Sequence, residues 1–340
     1  MVATNPERIR MIFLLSVAYG ATCQGDGYIP LKTADAQEIC IHRRANQGPP
    51  ILLAHGISSN HRFWDLNETL SVSRYLHRQG YDVWNLDFRG HGLANTTSQR
   101  QKRQGWTIDT YGEYDLSAAI DHIHRTRNQP VGFIGHSLSG MAMAVYLSIH
   151  GQQKLSGLII VASPMDFGHP DPIWFLAKTG ARISFWGINT AWLAKLISYI
   201  PKTPFGIENL IWNPQNIGPN IRKQLLQEIV SPMTRKELNQ LARTLTGQSF
   251  TSMDNRKDYR KNLQKITLPS LFIAGRKDHI VPADRVMAYH DSMGGAQKTF
   301  IVVSKAEGFS ADYGHLGYAL GKNAPTEVYP LLYEWLQNNL

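Results

Sequence analysis

Cysteine is nearly absent from this chain: Cys23 and Cys40 are the only two in 340 residues. No Cys-x-x-Cys and no His/Cys spacing offers a metal site. Cys40, inside Glu38-Ile39-Cys40-Ile41-His42, reads as a small buried hydrophobe. The alternative is a Cys23–Cys40 bridge pinning the N-terminal arm to an early strand, available if the chain is exported. Long apolar runs are also missing. The run Met11–Ala18 is too short to cross a bilayer. Acidic residues are outnumbered, 26 against 35 basic, for a formal charge of +9. That balance favours anionic surfaces, but there is no arginine-rich stripe interleaved with aromatics. The densest basic stretch, Arg100-Gln101-Lys102-Arg103, is short, so no nucleic-acid partner is expected. No internal repeat or low-complexity segment occurs.

What is present is ordinary for a globular protein: 43% hydrophobic, 10% aromatic and 18% charged residues, in a chain long enough for a large core. At the N-terminus, Arg8 and Arg10 precede the apolar run, and Ala18-Tyr19-Gly20 supplies a small-x-small site. This has the shape of a secretory signal, so a secreted or periplasmic location is the expectation. The alternative is a cytoplasmic protein with a packed N-terminal helix.

Short apolar runs then alternate with helical patterns. Gly27–Thr33 and Glu38–Arg43 read as a leading hairpin. Ile51–Ala54, Tyr81–Phe88, Val131–Ile134, Leu158–Val161, Ser270–Gly275 and Thr299–Ser304 read as strands. Phe63–Gln79, Ile108–Arg127 and Ala324–Leu340 read as helices. Such alternation predicts an α/β fold: a mostly parallel sheet with helices on both faces. Ligands bind beyond the carboxyl ends of such strands. Between Val161 and Ser270 the rhythm stops. A structureless connection of that length is improbable. Trp174, Phe175, Leu176, Phe185, Trp186, Trp192, Leu193 and Leu196 crowd its first part, and Asn220–Leu245 looks amphipathic and helical. The expectation is a helical cap inserted after the sixth core strand, its aromatics lining a cavity, facing lipid or gluing the cap to the core. The division that follows is 1–25 as signal or N-terminal helix, 26–164 and 266–340 as core, and 165–265 as cap.

The chemistry concentrates at Gly135-His136-Ser137-Leu138-Ser139-Gly140, between a strand and the helical run Met141–Leu147. A sharp strand-to-helix turn projects a serine hydroxyl outward, where a base can activate it. Ser139 stands where the second glycine of G-x-S-x-G is expected, and Gly140 follows one residue later. Thirteen histidines make any single one uninformative, so position decides. Asp278, in Gly275–Pro282, follows one strand, and His315, in Asp312–Gly317, follows the last. The order Ser137…Asp278…His315 is one of the few convergent orders of a nucleophile, acid and base. Rivals are Asp166 for the acid and His279 for the base. His55, His91 and His136 read as loop-shaping or packed residues.

Together with His55-Gly56 and Asp87-Phe88-Arg89-Gly90-His91-Gly92, these motifs make the sequence resemble the α/β-hydrolase superfamily from about Gly27 onward, outside the insertion. Within it the chain is similar to lipase- and esterase-like members. Its tail is similar to proteins near acid lipases and polyhydroxyalkanoate synthases, although those synthases use cysteine as nucleophile. The resemblance implies an oxyanion hole built from the N–H groups of Leu138 and Ile57, and a Ser137–His315–Asp278 triad acting through an acyl-enzyme. It implies a small-molecule or lipid-like ester substrate, and no metal or organic cofactor. The same triad also serves thioesterases, acyltransferases and amidases, and a non-catalytic ligand-binding member is a further alternative.

Overall fold

A computed structural model describes residues 23–94, 105–166, 190–201, 208–244 and 250–340. The signal-like segment, the basic stretch at 100–103 and the aromatics from Trp174 to Trp186 lie outside the described residues.

Eight strands form one sheet in the order β1-β2-β4-β3-β5-β6-β7-β8. They are β1 (Tyr28–Lys32), β2 (Glu38–Arg44), β3 (Pro50–Ala54), β4 (Asp82–Asp87), β5 (Val131–His136), β6 (Leu155–Val161), β7 (Ser270–Gly275) and β8 (Lys298–Val303). The β1–β2 and β2–β4 pairs are antiparallel, and the rest are parallel. Because side chains alternate across a strand, β3 sends Leu52 and Ala54 to one core cluster and Ile51 and Leu53 to the other. Strands β3, β4, β5 and β7 are buried at every residue, which explains why β3, β5 and β7 read as apolar runs, while β4 also buries Asp82, Asn85 and Asp87. The order reverses at β3, which lies between β4 and β5, so the crevice for a ligand falls at the carboxyl ends of these strands.

Three expectations change in detail. The helix expected over Phe63–Gln79 is confined to Val72–Arg78, preceded by a 3₁₀ turn at His61–Phe63. Side chains compete with the backbone between them. Asn67 accepts from the Thr69 and Leu70 N–H groups, and Asp65 accepts from the Ser71 hydroxyl. The expected helix over Asn220–Leu245 is split. Pro219–Gln224 runs into a π turn, Leu225–Ile229, and Val230 is extended. A new helix, Arg235–Thr244, then begins with a reciprocal cap: Thr234 N–H donates to Glu237 and Glu237 N–H to the Thr234 hydroxyl. Finally, Cys23 and Cys40 form a disulfide, so Cys40 is not a lone buried hydrophobe. Strand β2 runs beside β4, and the bridge packs there against Ala94.

Between β6 and β7 the described residues include the helices Thr190–Ile197, Glu208–Ile211, Pro219–Gln224, Arg235–Thr244 and Tyr259–Leu263. This insertion is bonded to loops at the carboxyl ends of three strands. Asn60, after β3, donates to Glu228 O. Gly92, after β4, donates to the Ser231 hydroxyl. Asn213 donates to Asp312 O, after β8. Trp192, Leu193 and Leu196 are exposed rather than packed onto the core.

Candidate active site

The turn after β5 holds Ser137 at φ 54°, ψ −119°, a conformation that side-chain-bearing residues rarely adopt. Its N–H is bonded to Val161 O across the sheet, and Gly140 N–H closes the turn onto Ser137 O. The neighbours must be small. A Cβ on Gly140 would stand 2.3 Å from Ser163 Oγ and 2.6 Å from Ser163 Cβ. Gly140 therefore carries the close approach to the end of β6. Ser139 occupies the out-of-pattern position without conflict. Its hydroxyl lies 2.9 Å from both Ala54 O and His136 O, tying the ends of β3 and β5 together.

Three loops converge on this turn. His315 Nε2 lies 3.0 Å from Ser137 Oγ, and His315 Nδ1 lies 2.9 Å from Asp278 Oδ2. With Nδ1–H donating to the carboxylate, Nε2 is left as an acceptor for the serine proton. Asp278 is fully buried at its side chain, and its other oxygen accepts from the Ile280 and Val281 N–H groups at 3.0 and 2.8 Å. A carboxylate held by two backbone donors has little freedom to turn away from the imidazole. Neither rival joins the chain. Asp166 is ion-paired with Arg260 and Arg285, and His279 is exposed.

The loop after β3 reaches the same place. A Cβ on Gly56 would lie 2.9 Å from His136 Nδ1 and 3.2 Å from Ser137 Cβ, so only glycine lets the backbone lie this close. Ile57 follows directly. Leu138 opens the helix Leu138–His150, so its N–H has no intrahelical acceptor.

The surrounding histidines differ in charge. His136 is wholly buried and stacked on Phe63, and burial pushes it well below its usual range. Neutral, it donates from Nε2 to His315 O at 2.8 Å and fixes the loop bearing that residue. Burial also lowers His55 to about 4 and His91 to about 3. His61 is the exception. Burial opposes its charge, but the Asp87 carboxylate at 2.7 Å overcomes that and raises it. Asp87, also bonded to the Leu93 N–H, anchors the loops after β3 and β4 to each other.

Sequence reasoning missed three partners. The His61–Asp87 pair and the Tyr111–Glu237 bond at 2.6 Å join distant segments and leave no pattern. Tyr318, three residues beyond His315, reaches Asp278, and only its spacing in a helical turn hints at that. The cap Thr234-x-x-Glu237 was readable as a motif.

Comparison with known proteins gives a consistent setting. A family profile described as "Serine aminopeptidase, S33" matches residues 50–307. Triacylglycerol lipase 1 of Arabidopsis thaliana is 25% identical over 341 residues, covering 89% of this chain and 83% of that protein. Triacylglycerol lipase 2 of the same plant is 35% identical over 94 residues, which is 26% of this chain and 22% of that lipase. Among solved structures, an esterase from Exiguobacterium antarcticum superposes with a TM-score of 0.64 at 17% identity, covering 91% of this chain and 98% of that one.

Proposed function

Since the chain belongs to the serine aminopeptidase S33 family of α/β hydrolases, we propose that it cleaves carboxylic esters bearing an apolar group, in the manner of an esterase or lipase. One observation carries the reading: the hydrogen-bonded chain Ser137–His315–Asp278, at 3.0 and 2.9 Å, at the carboxyl ends of a parallel sheet. Ser137 Oγ attacks the ester carbonyl while its proton passes to His315 Nε2. Asp278 holds the ring in the required tautomer and stabilises the imidazolium. The tetrahedral oxyanion is bound by the N–H groups of Ile57 and Leu138, each donor of this kind contributing about 3 kcal/mol to the transition state. The C–O bond breaks, and the alcohol leaves with the proton from His315. Water, deprotonated by the same ring, then attacks the acyl-enzyme and frees the acid and Ser137.

Preference for an apolar group is supported by the lipases among the relatives and by the aromatic insertion. In this reading residues 165–265 act as a cap over the site. Export is supported by the Cys23–Cys40 disulfide and by the signal-like N-terminus. The test is a chain-length series of p-nitrophenyl esters, with matched thioesters and amides, on wild type and Ser137→Ala. Ester turnover rising with acyl length, together with fluorophosphonate labelling that Ser137→Ala abolishes, is expected. Wild type that neither labels nor turns over esters refutes the proposal. Faster thioester or amide turnover moves the substrate class.

A further inference from the structure

The carboxylate of Asp278 receives a fourth donor that the mechanism above does not use. Tyr318 Oη lies 3.2 Å from Asp278 Oδ2, the oxygen already bonded to His315 Nδ1. The placement is built in from both sides. Tyr318 is buried in the short helix Gly317–Leu320. Its hydroxyl occupies the space a side chain on Gly275 would need, since a Cβ there would fall 2.7 Å from Tyr318 Oη and 2.4 Å from Tyr313 O. Glycine at the end of β7 thus makes room for the tyrosine hydroxyl beside the acid. Burial, reinforced by the adjacent carboxylate, raises the phenol well above its usual range, so it remains a donor at every working pH.

We propose that Tyr318 is a positioning residue that tunes the base: by sharing Asp278 Oδ2 with His315, it draws negative charge from that oxygen and limits how strongly the imidazolium is held. The inference rests on the Ser137–His315–Asp278 reading. A hydrogen bond to the charged carboxylate disperses charge that would otherwise face the ring. Other groups around the pair are accounted for. Ser137 takes Nε2, and the His136 ring, 4.6 Å from that of His315, is kept neutral by burial. Tyr313 stacks on Tyr318 and gives its hydroxyl to Glu327. Lys277 and His279 flank Asp278 on the exposed side of its loop. From the insertion, Trp212, Asn213 and Asn216 approach the Gly314–Gly317 turn, and none of them is charged.

The test is the pH profile of kcat/KM for Tyr318→Phe. Its acid limb, which reports protonation of the free enzyme's base, should move to higher pH by about half a unit, with plateau activity reduced less than about tenfold. Tyr329→Phe removes an equally buried hydroxyl, bonded to Ala319 O and not to Asp278, and should leave the limb in place. An unmoved limb in Tyr318→Phe, or equal movement in both variants, overturns the proposal. If Tyr318→Phe does not fold, the full chain is prepared with fluorotyrosine throughout, in wild-type and Tyr329→Phe backgrounds. The more acidic phenol donates more strongly, so the limb should move down in both; no movement or upward movement overturns the proposal. Ester turnover that survives Ser137→Ala defeats the triad reading itself. Turnover lost in Ser137→Ala with an unmoved Tyr318→Phe limb defeats only the role of Tyr318.

Discussion

Glu237 offers a prediction with a counterintuitive sign. This carboxyl is wholly buried where the insertion meets the core. One oxygen accepts from Thr234 N–H at 2.7 Å and the other from the Tyr111 hydroxyl at 2.6 Å. Burial pushes it from 4.5 up to about 7, outweighing the hydrogen bonds that favour its charged form. A folded value above the unfolded one means stability that is complete below the ordinary carboxylate range. That stability is lost as pH rises through about 7. At about 1.4 kcal/mol per pH unit, the upward displacement corresponds to roughly 3 kcal/mol. Glu237→Gln removes the titration while keeping the cap, because glutamine also serves at that position. Its amide oxygen can accept from Thr234 N–H while its amino group donates to Tyr111, whose hydroxyl turns toward His91 Nδ1, 3.5 Å away. Urea unfolding followed by tryptophan fluorescence at several pH values gives the difference between the two proteins. Groups common to both cancel in that difference. The variant should match or fall below wild type near pH 5 and exceed it by up to about 3 kcal/mol near pH 8. A pH-independent difference, or wild type gaining on the variant as pH rises, refutes the reasoning.

Replacing Asp278 by alanine should cut kcat at least about a hundredfold, and His315→Ala should fall nearly as far as Ser137→Ala, since such groups act as a unit. Asp166→Ala should lose no more than severalfold in activity on the same substrate; the opposite ranking moves the acid to the end of β6. Gly140→Ala should destabilise by roughly 1–3 kcal/mol through overlap with Ser163, whereas Ser139→Gly should cost about 1 kcal/mol and keep ester turnover. Thermal unfolding and steady-state rates check both. Reducing the Cys23–Cys40 bridge should cost about 3 kcal/mol with little change in kcat, because the bridge lies at β2 and not at the serine turn; a matching loss of activity would contradict that separation.

The parts legible in the sequence were those written in local periodicity or strand-end position. β3, β5 and β7 are buried on both faces, so they stand out as unbroken apolar runs. Ser137, Asp278 and His315 could be picked from many candidates because each follows a strand in a parallel sheet. The disulfide was not decided, because Cys40 fits its strand equally well as a packed thiol until the position of residue 23 is known. Helix ends near Asn67 and Val230 were missed because single side-chain bonds and an extended residue override a good helical pattern. The roles of Tyr318, the Tyr111–Glu237 bond and the His61–Asp87 pair were illegible for another reason. Each owes its role to a partner 26 to 126 positions away.

Those distant partners also explain how the site divides between core and insertion. The serine turn, Asp278 and His315 are fixed by the sheet, by Gly140 against Ser163 and by His136 on His315 O. The loop carrying Ile57 is held differently. Just after it, Ser58 sits at φ 53°, donates to Ser231 O at 2.7 Å and accepts from Ser231 N–H at 3.0 Å. Asn60 adds a bond to Glu228 O. The core thus sets the proposed nucleophile and its proposed base, while the insertion braces the loop that offers the proposed oxyanion donor. A change confined to the Ser58 hydroxyl, the side chain that bonds to Ser231 O, should therefore affect transition-state binding more than the reactivity of Ser137. Ser58→Ala should lower kcat on esters while the acid limb of the pH profile stays where it is. A displaced limb with unchanged kcat would place the influence of the insertion on the base instead.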